Sequence, residues 1–150
     1  MTMIFVNLPV RDVAAARAFW NALGYPTNEQ FCDAHTANAA LADNIVLMLL
    51  DHERFADFVT GPIADPKAAT GVLNALSADS REAVDALADK AVAAGASTWL
   101  PPQDHGFMYG RSFQDPDGHV WEVLWMDPAA VAGSADADAD ADQALVAAGA

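Results

Sequence analysis

Gln103-Asp104-His105-Gly106-Phe107-Met108-Tyr109-Gly110-Arg111-Ser112-Phe113-Gln114-Asp115-Pro116-Asp117-Gly118-His119-Val120-Trp121-Glu122-Val123 is the most informative run of this chain. Its centre, Asp115-Pro116-Asp117-Gly118, has the chemistry of a turn: proline presets φ, aspartate bonds its own backbone, and glycine accepts positive φ. The flanks, Met108 to Gln114 and His119 to Met126, are rich in aromatic and β-branched residues, so the run is predicted to be a β-hairpin.

Upstream of the hairpin, Gly71 to Ser77 reads as a strand. Asp79 with Glu82 three residues later then resembles a capping box opening a helix that ends before Gly95. Val84, Leu87, Ala88, Ala91 and Val92 form the apolar stripe of that helix, and Ala96 to Leu100 reads as one further strand. The order is strand, helix and three strands over about 71–127.

The same order occurs earlier. Met3 to Val10 is a strand, and Asp12 offers a cap for a helix through Leu23 with Val13, Ala16, Trp20 and Leu23 at helical spacing; Gly24 ends it. Thr27 to Cys32, Ala37 to Ala42 and Asn44 to Leu50 are three strand candidates, which makes a first βαβββ module of about 3–50. A connection of about 51–70, with a short helix around Glu53 to Val59 and then Gly61, Pro62 and Pro66, joins the halves. Pairing Leu8-Pro9-Val10-Arg11-Asp12 with Leu76-Ser77-Ala78-Asp79-Ser80 aligns the two strand-to-helix joints by pattern, not identity. The fold class expected is α+β: two tandem βαβββ modules whose sheets form an incomplete barrel around a cleft, within one chain or across a dimer.

With 150 residues, one domain over 1–127 is expected. Residues 128–150, where Ala and Asp alternate through Asp142, read as a low-complexity acidic tail outside the fold. The net charge of -14 includes -5 from residues 127–150, which leaves -9 for 1–126 and argues against a nucleic-acid partner. No apolar run is long enough to span a membrane, and Met1 to Val10 has no basic residue ahead of its apolar stretch. With a single cysteine, Cys32, cytoplasmic residence is expected.

The hairpin, the opening Phe5-Val6-Asn7-Leu8-Pro9-Val10-Arg11-Asp12 and the Phe19-Trp20 pair before Leu23-Gly24 together resemble the vicinal oxygen chelate superfamily, the glyoxalase, bleomycin-resistance and extradiol-dioxygenase group. The resemblance covers about residues 3 to 127. It implies a metal held by four side chains, one from the first and one from the last strand of each module, and a homodimer. Those positions fall at or beside Phe5, near Met48, near Leu73 and on Glu122, and only Glu122 is a hard donor. A shift of one residue would bring in Asn7 or Asn74. No cofactor is therefore expected, and Glu122 is the lone candidate ligand for a divalent metal.

Other arrangements offer less. His119 and Glu122 are three apart on a strand and point to opposite faces. His52-Glu53 opens a zinc-protease pattern that Ala56 breaks. Cys32 and His35 flank Asp33 near a turn and could meet, or form a packed thiol and a solvated histidine. Gly106 and Gly110 lack the helix and lysine of a phosphate loop.

The candidate ligand-binding residues are Asn7, His105, Tyr109, Arg111 and Glu122, with Glu122 also the candidate catalytic group. Glu122 pairs with Arg111 or a backbone group, or else faces a cavity as an acid able to contact a ligand or move a proton. Tyr109 and Arg111 share one strand face and hold an anionic or aromatic ligand, or else Arg111 pairs an internal carboxylate and Tyr109 packs at a dimer surface. His105 beside Asp104 is an oriented base or a solvated loop residue. Asn7 lines a cavity or bonds a neighbour. Phe5, Met48, Met108, Trp121, Trp125 and Met126 line an apolar pocket or form core.

The functional expectation is a protein that binds a small organic ligand in the cleft without the usual metal site. The alternative is a metal-dependent lyase or extradiol-type dioxygenase with a remodelled centre. A third reading, an interaction protein without ligand, applies if Phe5, Met48 and Leu73 fill the cleft.

Overall fold

The computed structural model describes residues 1–133. β1 (Ile4–Val10) buries Leu8 and Val10 and turns Phe5 and Asn7 outward, the alternation of a half-buried strand. The Asp12 carboxylate then accepts from the Ala15 amide and starts α1 (Val13–Ala22), which buries Ala16, Phe19 and Trp20.

β2 (Thr36–Ala42) and β3 (Ile45–Asp51) complete a sheet of order β1-β3-β2, with β1 parallel and β2 antiparallel to β3. The strand expected over Thr27 to Cys32 is not formed; Glu29–Phe31 is a 3₁₀ turn instead. The cause is local hydrogen bonding. Asn28 caps the turn by accepting from Gln30, and its backbone is held by the side chain of Asn38, which accepts from Asn28 N and donates to Asn28 O, both at 2.8 Å. A side-chain amide thus replaces a strand ladder along the edge of β2, and the first half contributes three strands, not four.

Asp51 caps α2 (His52–Ala56), shorter than the helix expected through Val59. After the connection comes β4 (Leu73–Ser77), and α3 (Arg81–Ala93) follows with Ser80, not Asp79, as its cap, bonded to Ala83 N at 3.1 Å. The strand expected over Ala96 to Leu100 is shorter, β5 (Ser97–Thr98), and a separate β6 (Gln103–Asp104) follows it; each pairs with β7 (Met108–Gln114). β8 (Val120–Met126) lies between β7 and β4, antiparallel to the first and parallel to the second. The second sheet has the order β4-β8-β7-β5.

The chain is therefore a mixed α+β protein with two separate sheets, and these do not close into a barrel. Asp127 accepts from Ala129 N and residues 128–133 are helical. The tail expected from 128 onward thus begins as helix, and its stretch 134–150 lies outside the described residues.

One core joins the halves. Leu8, Val10, Leu47 and Leu49 from the first sheet meet Phe113, Trp121 and Val123 from the second across Phe19, Trp20 and Val84 of the helices. Phe19 lies against Phe113 at 6.3 Å, and Trp20 meets Trp121 edge to face at 4.6 Å. Aromatic pairs of this kind contribute about 0.5–1.5 kcal/mol beyond their buried area. The opposite face of each sheet is left open. Phe5, Leu73 and Met126 are each about half exposed there.

Candidate functional site

The hairpin sets what each face of the second sheet presents. Its loop runs through His119, because Asp115 N donates to His119 O and Gln114 pairs with Val120. Asp115 is almost fully buried and acts as the loop's internal cap. Its carboxylate accepts from Asp117 N, His119 N and the Trp121 indole N–H at 3.0, 3.0 and 3.1 Å. Burial nevertheless pushes its pKa above the ordinary carboxylate value, against the lowering effect of His119 and these bonds. His119 leaves the strand altogether and its Nε2 lies 2.8 Å from Pro9 O.

This register places Glu122 opposite Ser112 and Arg111 opposite Val123. Glu122 shares the open face with Met108, Gly110, Ser112 and Leu124, and these residues with Leu100 line a shallow pocket of about 180 Å³. Gly110 leaves room at its floor: a Cβ there would stand 2.5 Å from Leu124 Cδ2 and push that methyl aside. Ser112 Oγ accepts from Leu100 N at 3.0 Å and fixes the pocket wall. Among the described residues the Glu122 carboxylate has no hydrogen-bond or ion-pair partner.

Arg111 and Tyr109 do face the same way, but toward α3. Arg111 Nη1 lies 3.1 Å from Asp85 Oδ1 and 2.8 Å from Asp89 Oδ1, and the Tyr109 hydroxyl donates to Asp85 Oδ1 at 2.8 Å. That bond to Asp85, with burial, raises the Tyr109 pKa. Arg111 thus pairs carboxylates of its own helix layer and cannot meet Glu122, which projects from the other face. Arg111 does line the Glu122 pocket, but its guanidinium is taken by Asp85 and Asp89, and Tyr109 is not part of that lining.

His105 sits exposed in the loop before β7, its amide bonded to Met108 O at 2.9 Å. The neighbouring Asp104 is not its partner. Arg81 takes Asp104 in a two-pronged bond at 2.7 and 2.9 Å and donates to Gly106 O, while its guanidinium stacks 5.2 Å from both Tyr109 and Trp125. Arg81 and the Gly106 amide lower the Asp104 pKa to about 2. The sequence reading missed Arg81, and a helix-start arginine carries no signal of where it reaches.

Asn7 faces neither group. It lines a separate cavity of about 260 Å³ beneath the connection between the halves, and its Nδ2 donates to Phe5 O at 3.3 Å. The five candidates are therefore only partly brought together: Glu122 and Arg111 line the open-face pocket, Tyr109 and Arg111 of β7 bond carboxylates of α3, His105 is in a loop, and Asn7 lies under the connection. Cys32 and His35 do not meet. Cys32 Sγ lies 3.4 Å from Asn28 O, and His35 Nδ1 lies 2.5 Å from Asp51 Oδ2.

The donor set does not fit a four-ligand metal centre. Phe5 and Leu73 have no lone pair to offer, Met48 offers a soft thioether, and Phe5 and Met48 lie on a different sheet from Glu122. Among the described residues no three His, Cys, Asp or Glu side chains gather closely enough to hold a metal ion. No helix among them is long and apolar enough to cross a membrane.

Two sheets, each with its opening strand parallel to its closing strand, sharing one core and leaving their other faces open, define a mixed α+β protein. The chain belongs to the Glyoxalase/Bleomycin resistance protein/Dioxygenase superfamily, whose family model matches residues 2–123. No curated protein matches it. Among solved structures, it is similar to a glyoxalase/bleomycin resistance protein/dioxygenase family enzyme from Burkholderia phytofirmans PsJN, with 22% identity, 84% of this chain and 99% of that chain covered, and a TM-score of 0.70. It is also similar to a hypothetical protein from S. aureus, with 24% identity, coverage of 83% and 94%, and a TM-score of 0.71. A third is a glyoxalase-related enzyme from Fulvimarina pelagi, with 19% identity, coverage of 83% and 88%, and a TM-score of 0.71. At these identities the likeness is one of fold.

Proposed function

We propose that the protein binds a small organic molecule on the open face of its second sheet, around Glu122, without the four-donor metal centre implied for its superfamily. The observation that carries this reading is an ionisable carboxylate with no partner in a pocket walled by Leu100, Met108 and Leu124. The Glu122 side chain is half-buried and its carboxylate oxygens are open to accept from a ligand's donor. The complementary ligand has an apolar body and a donor group, an amine or a hydroxyl, that reaches Glu122 and Ser112.

The same reading assigns the open faces to a second copy of this chain. Phe5, Leu73 and Met126 are 54, 55 and 49% exposed on them, apolar side chains that a second copy would cover. It also treats the halves as related modules that together build an incomplete barrel. Supporting this, Asp12 and Ser80, paired by the sequence pattern, cap α1 and α3 in the same way, and β1 and β4 each run parallel to the last strand of their half.

The test is a thermal-shift screen of small amphipathic amines and alcohols, with light scattering for mass and elemental analysis of protein purified without chelator. A ligand at a hundred times its Kd stabilises by about 2.7 kcal/mol, and that gain is expected to vanish in Glu122→Gln. Stoichiometric divalent metal that is lost in Glu122→Gln would overturn the metal-free reading and return the protein to the metal-dependent lyases and dioxygenases.

A further inference from the structure

Beneath the connection between the halves lie two cavities, of about 260 and 280 Å³, that share Pro9, Ile63, Ala64 and Pro66 along their walls. The first is mainly apolar, lined by Phe55, Pro62, Ile63 and Val72, and two carboxamides, Asn7 and Asn74, open onto it. Asn74 makes no side-chain hydrogen bond with any described residue, and Asn7 uses only its Nδ2, in a 3.3 Å bond to Phe5 O. Two part-free carboxamides offer donors and acceptors together, which is the complement of an amide.

The second cavity carries Arg11, His52 and Lys67 with Asp65 and Asp117. Both acids are already engaged. Asp117 Oδ1 accepts from Arg11 N at 2.9 Å and lies 3.5 Å from Arg11 Nε, and Asp65 Oδ1 accepts from Lys67 N at 2.9 Å. The Lys67 ammonium has no acid within ion-pair distance among the described residues. Arg11 and Lys67 balance Asp65 and Asp117 in formal charge here, and the Lys67 ammonium, unpaired among the described residues, is the cation left for an incoming carboxylate.

The roof is fixed in place. Gly118, at φ +101°, packs so closely on the connection that a Cβ would stand 2.5 Å from Lys67 Cγ and 3.0 Å from Lys67 N. The Nε2 of His119 and the Arg11 guanidinium tie β1 to the same loop, through Pro9 O and Pro116 O.

We infer that these joined cavities are a second binding site, for a compact acylated amino acid: an apolar acyl group against Ile63 and Val72, its amide between Asn7 and Asn74, its carboxylate at Lys67. The site is separate from the Glu122 pocket and does not depend on that reading.

The test is titration of the full chain with hippurate and with benzamide, which lacks the carboxylate, by calorimetry and amide-resolved NMR. Saturable hippurate binding is expected, weakened about tenfold or more in Asn74→Leu, where the ligand amide loses its partner. Lys67→Met weakens hippurate and leaves benzamide unchanged, and Glu122→Gln binds both as the parent does. If Asn74→Leu does not fold, Val72→Trp, at a lining position 65% exposed, is expected to crowd the first cavity and block both probes. No saturable binding overturns the inference. So does binding that survives Asn74→Leu or Val72→Trp but is lost in Glu122→Gln.

Discussion

The side chain whose surroundings differ most from its sequence neighbours is Glu122. A loop of four residues, Asp115 to Gly118, would place Glu122 opposite Arg111, and a salt bridge between them is the natural expectation. The actual loop takes in His119, and the pairing slips by one, so Glu122 faces Ser112 instead. Because strand side chains alternate, one residue of slip exchanges faces. The turn was therefore legible and its register was not, since the bonds that draw in His119 come from a buried Asp115. A second local pair titrates in a useful range. His35 is held above its ordinary pKa of 6.5 by the hydrogen bond and charge of Asp51, with Glu53 adding to this and Arg54 opposing it. A raised folded value means that this contact stabilises fully below pH 6.5 and fades as pH rises through the folded pKa. An NMR titration of His35 is expected to show the elevated midpoint, and Asp51→Asn to return it toward 6.5; an unchanged midpoint would refute the pairing.

Helices were read well because their signals are local. Asp12 was recognised as a cap from its place ahead of an apolar stripe, whereas Asp79 and Ser80 are adjacent capping types and only backbone geometry separates them. Asp12→Ala and Ser80→Ala are each expected to cost about 1 kcal/mol in urea denaturation, while Asp79→Ala stays near parental stability. The lost strand over Thr27 to Cys32 has the opposite lesson. Composition permits a strand there, but Asn38, fully buried and bonded to both backbone groups of Asn28, holds the segment in another path. Asn38→Ala leaves those groups unpaired and is expected to cost about 1–3 kcal/mol, measured by the same denaturation. The connection is pinned just as specifically. Gly118→Ala meets both a positive φ and the Lys67 backbone, and about 1–3 kcal/mol of destabilisation is expected, with earlier protease cleavage between residues 60 and 70.

For the molecule as a unit, alternation and helical spacing were enough to anticipate the α+β class, because they decide what is buried. They could not show which halves touch. Here Trp20 of one helix lies on Trp121 of the other sheet, and Phe19 on Phe113. Trp20→Ala is expected to cost about 3–5 kcal/mol and to lower the stability of both halves together, seen as one shared transition by near- and far-ultraviolet circular dichroism. Two separate transitions would mean that the sheets fold independently. The Trp20–Trp121 contact has a practical side as well. Two indoles 4.6 Å apart, one donating its N–H to the Asp115 carboxylate, are an electronically coupled chromophore built into the seam. Any event that loosens the seam will change the chain's own ultraviolet signature, so the protein carries an optical gauge of its assembly without a label.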